Sequence, residues 1–272
     1  MSDLLNHPAV QAGIVPFVLA LLIGAVLAPT RLLGLAQLAG FLAVVGLAFG
    51  FSFVPLTAVR KLVVSAVASG VALIVLEVAA AADKSRLRAL VLLSAAAACL
   101  WMLSRLVEQR AWSDVLLPAA ASALFVAAMV EAMLRASRDP FKGAAAGLSL
   151  GLGTGALALL GSSVVLAMGA IGVGAAAGAC LLLQMLRRRA TPTGATISLP
   201  AALICALTVT LVAWQGTLPW YCLLPLLATP WAASLGPTRG HAFVRALIAA
   251  TLALVPMLLS IGLALAAGRQ FP

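Results

Sequence analysis

Apolar residues run along this chain in long stretches, and short segments between them carry nearly all the charge. Ten stretches stand out, approximately 9–28, 32–51, 62–82, 88–106, 114–134, 143–161, 164–186, 197–214, 218–234 and 242–267. Most approach the roughly 20 residues a helix needs to cross the hydrocarbon core of a bilayer. The pattern predicts an all-α fold, a polytopic integral membrane helix bundle of about ten transmembrane helices. The clearest interruption is RASRDPFK, residues 135–142, after the fifth stretch. It divides the chain into two five-helix halves, 1–138 and 139–272, which together form one membrane domain. Five helices per half is an odd number, so halves that are structural repeats must be inverted relative to each other. No sequence similarity between the halves is evident, and the 5+5 inverted repeat rests on the count alone.

Composition sharpens the class. Of the 272 residues, 64% are hydrophobic and 9% charged, and the mean hydropathy is +1.18. Soluble domains are roughly 45–50% apolar and about 25% charged. A soluble enzyme and a disordered tail are both excluded. Ten spans leave about 70 residues for loops and termini, too few to form a soluble domain beside the bundle. A built-in ATPase or dinucleotide-binding unit is therefore not expected.

The net charge of +10 reads as a topology signal, not as a nucleic-acid footprint. Odd-numbered loops hold Arg31, Lys84, Arg86, Arg88, Arg135, Arg138, Lys142, Arg187, Arg188, Arg189, Arg239 and Arg245. Even-numbered loops and the C-terminus hold Arg60, Lys61, Arg105, Arg110 and Arg269. Twelve cations against five place the odd loops in the cytoplasm and both termini outside, in a membrane expected to be the bacterial inner membrane. Trp101, Trp112, Trp214, Trp220 and Tyr221 then fall at the outer interface and Trp231 at the inner one, as aromatic belts require. Arg187, Arg188 and Arg189 form the strongest basic cluster and are expected to meet anionic lipid headgroups at the cytoplasmic face. Arg60 and Lys61 break the charge pattern. Either they mark an outward anion contact, with Arg105 and Arg110 on the same face, or the topology differs locally.

Candidate chemistry is sparse. All seven acidic residues precede position 140, so any carboxylate relay must sit in the first half. Glu77 lies inside the third stretch, about 9 Å from its cytoplasmic end. A carboxylate at that depth is a candidate for substrate binding or proton coupling; the alternative is a structural bond to a neighbouring helix or to Lys84, Arg86 or Arg88. Glu131 stands four residues before Arg135, the favourable order for an interfacial ion pair. Gly143, Gly147, Gly151 and Gly155 recur every four residues, and Gly174 and Gly178 repeat the spacing. Such faces let helix backbones approach closely, so tight packing of the sixth and seventh helices is expected, with a sliding transporter interface as the sharper alternative.

Several features weigh against an enzyme. Gly147-Leu148-Ser149-Leu150-Gly151 matches GxSxG formally, but a nucleophile elbow needs a strand-to-helix turn that a glycine-rich membrane helix does not offer. His241 reads better as a polar start to the last helix than as a partner for Ser149. Cys99, Cys180, Cys205 and Cys222 all lie in apolar stretches without a CxxC pair, which argues against a disulfide framework or a metal site. With two histidines in the chain, no haem or other cofactor is expected. Pro219, Pro225, Pro230 and Pro256 interrupt the last two stretches, and broken helices of this kind can free carbonyls for substrate binding. Two functions remain: a secondary transporter or carrier of a small, amphipathic or lipid-linked solute, and a non-catalytic membrane subunit or scaffold of a larger complex. Expected partners are membrane lipids and either a protein complex or a second copy of the chain, not nucleic acid.

Overall fold

The computed structural model describes residues 7–30, 32–48, 50, 54, 56–78, 84–187, 199–216 and 218–268. Within the helices, the side chains of 73–78 and 84–87 lie outside that description. The described residues form helices and connecting turns, without a strand. A π-helical turn, Val10–Ile14, runs into α1, Val15–Leu27; there follow α2 Leu35–Ala48, α3 Ala58–Val78, α4 Lys84–Glu108 and α5 Trp112–Ala136. The second part comprises α6 Pro140–Leu160, α7 Val164–Arg187, α8 Leu199–Trp214, α9 Leu223–Ser234 and α10 Ala242–Gly268. Each apolar stretch of the sequence thus corresponds to one α-helix, the first preceded by the π-helical turn and the ninth by a 3-10 turn, Trp220–Cys222. Six segments are long and apolar enough to cross a membrane: Val10–Leu27, Arg88–Glu108, Trp112–Ala136, Pro140–Leu160, Val164–Arg187 and Ala242–Gly268. This is a helical membrane protein. Helices α2 and α8 are apolar but shorter, at 14 and 16 residues.

Local chemistry explains the boundaries. Asp139 is extended, at φ −117° and ψ 120°, because Pro140 disfavours a helical residue before it. Its carboxylate accepts the Phe141 N–H at 3.1 Å and so caps α6. At the far end of α6 the chain reverses within three residues. Gly161 N–H returns to the Leu157 carbonyl (2.8 Å) and Ser163 N–H to Ala158 (2.9 Å). Ser162 sits at φ +60° to close that turn. Pro16, which has no N–H to donate, follows the π-helical turn, a common site of such widening.

Helices α6, α7 and α8 make the interior. Every residue of α8 except Ala213 is buried, and α8 packs on α3, α5, α6 and α7. The α1–α2 pair lies along α7, while α9 and α10 cover the other side of α6. Helices from the two ends of the chain are therefore interleaved: α2 on α7, and α5 on α8 and α9.

Small residues set the distances. A Cβ at Gly151 would overlap the backbone of Gly174 and lie 2.8 Å from the Ala170 carbonyl oxygen. One at Gly147 would meet Ala177 Cβ at 3.2 Å, and one at Gly155 would meet the Ala167 carbonyl at 3.2 Å. Gly178 faces Leu148 Cδ1 at 3.4 Å, and Gly143 is buried on α6. Glycines outside the four-residue pattern do comparable work. Gly153 faces Met257 and Leu226, while Gly169 and Gly172 receive Phe41 and Val44 of α2.

Backbone contact of this kind has no slack. Gly151→Ala is expected to destabilise the fold by about 2 kcal/mol or more, as overpacking against backbone does. At Gly262 an added methyl group would meet nothing within 4 Å, and Gly262→Ala should be neutral or slightly stabilising. Thermal unfolding of the two variants in one detergent measures the difference.

Candidate functional site: a groove between α5, α8 and α9

The two ends of the bundle differ. At the basic end, the helix termini are tied together by charge. Glu131 on α5 takes Arg135 at 2.6 Å and also pairs with Arg88 of α4. The Arg135 guanidinium lies 4.8 Å from the Trp231 ring of α9. Asp139 accepts from Arg245 of α10 at 2.6 Å, and that guanidinium stacks 5.0 Å from Phe141. Buried Lys142 donates to the Ser234 carbonyl at the end of α9 (2.8 Å), and Arg187 donates to the Ala25 carbonyl near the end of α1 (3.0 Å). The last two place cations at helix C-termini, where both the free carbonyls and the dipole favour them.

The opposite end carries most of the tryptophans and is less closed. Helix α8 is about 24 Å long and α5 about 37 Å, at 1.5 Å per residue. Trp214, at the end of α8, reaches Ser122 of α5, its indole N–H donating to Ser122 Oγ at 2.8 Å. Ser122 lies ten positions beyond Trp112, the first residue of α5. Helix α5 therefore overhangs α8 by about 15 Å. Gly216, at φ +78°, turns the chain after α8, and Leu218, Pro219 and Trp220 lie along the overhang.

The result is a cavity of about 670 Å³, lined by Arg110, Leu117, Pro118, Ala121, Ser122, Phe125, Thr210, Ala213, Trp214, Gly216, Leu218, Pro219, Trp220, Leu223 and Leu224. Its size is that of a small-molecule site. Leu117, Trp220 and Leu224, which line it, are exposed, so the cavity is open to the surface. Pro118 interrupts the α5 ladder, and Ser122 donates to the Pro118 carbonyl at 2.7 Å. Trp214, Ser122 and Pro118 thus form a donor chain along one wall. Arg110 lies with its guanidinium carbon 5.6 Å from the Trp214 ring centroid, a cation–π contact. No ion pair engages Arg110 among the described residues. Thr210 is buried, and its hydroxyl has no hydrogen-bond partner among the described residues.

Other residues singled out from sequence fall elsewhere. Glu77 belongs to α3, but its side chain lies outside the described set, as do residues Arg31, Arg188 and Arg189 and the side chains of Lys84 and Arg86. Lys61 is turned into the bundle. Its ammonium donates to Ser104 Oγ (2.7 Å) and the Trp101 carbonyl (3.0 Å) of α4, so it joins α3 to α4 and faces protein, not an outside anion. Arg60 is half-buried at the start of α3 and Arg105 is exposed on α4. Ser149 is fully buried, and His241 is exposed with Nδ1 accepting the Phe243 N–H at 3.4 Å; no hydrogen bond joins the two. The four cysteines are free and buried. Among the described residues no three metal-ligating side chains cluster. Gln184 is fully buried with both amide atoms unpartnered in the described structure, a polar exception in α7.

Of the groove, Arg110 and Trp214 carry a sequence signal, as a cation against the charge pattern and an interfacial aromatic. Ser122 and Thr210 do not, since a hydroxyl in an apolar helix is ordinarily bonded within its own helix. The unequal lengths of the fifth and eighth stretches were the available clue.

Because Trp214 and Ser122 share one hydrogen bond, Trp214→Phe and Ser122→Ala should each lower stability by about 1 kcal/mol. The double variant should lose little more than either, as a double-mutant cycle of thermal unfolding would register. Comparison of the chain with protein families, with curated proteins and with solved structures yields no match to any of the three.

Proposed function

We propose that this membrane protein is a secondary carrier of an amphipathic, lipid-like solute, and that the groove between α5, α8 and α9 is where the solute binds. The observation that carries the reading is the amphipathic lining of a cavity open to the surface. Its walls are aliphatic and aromatic, with Arg110 and the Trp214–Ser122 pair on the same surface. A soluble polar substrate would need several convergent polar groups, whereas a lipid-like one needs few, because burial of its apolar tail supplies most of the affinity.

In this reading the chain crosses the inner membrane ten times with both termini outside. The shorter helices α2, α8 and α9 are then completed by local bilayer thinning or flanking segments. The groove would open to the outer leaflet, and the ion-paired end would face the cytoplasm. Anionic headgroups there are the natural contacts of Arg187 and its neighbours.

Reconstitution into vesicles tests the function. Protein-containing vesicles should translocate a fluorescent short-chain lipid between leaflets faster than empty ones. Ala121→Trp, which fills the groove, should return the rate to that of empty vesicles. Folded protein that leaves the rate at the empty-vesicle value would favour the alternative, a membrane-anchored subunit whose activity belongs to another chain. Reporter fusions at each terminus check the orientation, with an external signal expected from both.

A further inference from the structure

We propose that the protein holds the membrane thin along the exposed face of α9, so that lipid headgroups at the tryptophan end reach down to the mouth of the groove. The inference goes beyond the carrier reading and does not depend on it. Helix α9 and the 3-10 turn ahead of it, Trp220–Cys222, leave Trp220, Tyr221, Leu224, Ala228, Trp231 and Leu235 exposed. After the paired aromatics these positions recur every three or four residues, which makes one continuous helix face. The face carries no charged side chain. Hydrocarbon suits its middle, and headgroups suit its aromatic ends.

The two aromatic ends are too close together for a flat bilayer. From Trp220 to Trp231 the chain rises about 18 Å, at roughly 2.0 Å per residue in the 3-10 turn and 1.5 Å in α9. A hydrocarbon core is about 30 Å thick. With Trp231 at one interface of such a core, Trp220 would lie about 12 Å below the other, where its indole N–H meets only acyl chains. A bilayer meets a short hydrophobic span by thinning, at modest cost per ångström.

Helix α5 supplies an independent ruler. Trp231 is held at the level of Arg135, whose guanidinium lies 4.8 Å from its ring. Along α5, Trp112 and Arg135 are about 35 Å apart, enough for a bilayer of full thickness. Trp220 therefore stands about 17 Å short of Trp112. Trp214 gives nearly the same shortfall by another route, since its bond to Ser122 fixes the end of α8 about 15 Å below Trp112. Gln215, exposed just past Trp214, adds a polar side chain at the lowered level. Two adjacent helices thus set one low rim beside the groove. A headgroup crossing along this face would traverse a correspondingly shorter apolar path.

Fluorescence quenching of the full chain in phosphatidylcholine vesicles tests the depth of each tryptophan. The lipid carries bromine either near the ester or near the chain end. The quenching lost in Trp220→Phe or in Trp231→Phe reports that tryptophan alone, with the others in place. Both losses should be largest with bromine near the ester and smallest with bromine near the chain end. A Trp220 quenched chiefly by chain-end bromine overturns the proposal, because the bilayer is then flat around α9. Quenching of Trp220 by aqueous iodide but by neither lipid also overturns it, in favour of a water-filled vestibule. Protection from iodide and from both lipids overturns it in favour of a protein cover, such as a second copy of the chain. A second measurement uses vesicles of mixed short-chain and long-chain lipid, with bromine near the ester of one or the other. Bromine on the short chains should quench Trp220 more than the same fraction on the long chains, and equal quenching overturns the proposal. No transport is read in either measurement, so failure of the translocation assay and failure of this inference are separate results.

Discussion

A helix in hydrocarbon keeps its backbone hydrogen bonds to itself, so what joins one helix to the next is how closely their surfaces can approach. In this protein the limit is reached where Gly151 meets Gly174, with no side chain between the two backbones. That contact fixes the α6–α7 hairpin, and the three-residue reversal through Ser162 holds its register. The other helices are placed by reference to it. Helix α2 lays Phe41 and Val44 against the glycines on the far side of α7, and α9 and α10 lay Leu226 and Met257 against Gly153 of α6. Dispersion between closely packed surfaces replaces the hydrophobic drive that is absent among lipid tails.

Charge finishes one end of this bundle and leaves the other open. Glu131 and Asp139 are each placed at the junction of α5 and α6 with a neighbouring helix, and each gathers an arginine from across that junction. Lys142 and Arg187 satisfy carbonyls where α9 and α1 end. At the tryptophan end Lys61 ties α3 to α4 through Ser104 and the Trp101 carbonyl, but no ion pair joins helices there among the described residues. There, α8 stops short of α5, and the polar contacts of the groove are a cation over an indole and an indole bonded to a serine. Such contacts leave apolar surface exposed around the groove, at Leu117, Trp220 and Leu224.

Much of the helical layout was legible in the sequence, because a stretch of about 20 apolar residues has few other ways to satisfy its backbone. Glu131 with Arg135 was legible for a similar reason: a four-residue separation puts both on one helix face regardless of the tertiary fold. His241 was legible as a helix start because a side chain ahead of a helix commonly accepts from its first N–H groups. Lys61 was not. Its burial against Ser104 and Trp101 depends on how α3 lies along α4, a relation that local pattern does not encode. Nor was Thr210, whose significance is a missing partner, and a missing partner is visible only when every neighbour is in place.

The sequence by itself determined the class of the protein: helical, and apolar enough for a membrane. Those properties depend on composition and on periodicity within single helices, so they survive without knowledge of the packing. The tertiary structure alone decided where a site could form. The groove exists because α8 is shorter than α5 and because Trp214 fastens its end to Ser122. A cavity is the space that several helices fail to fill together, and no one of them carries it in its own residues.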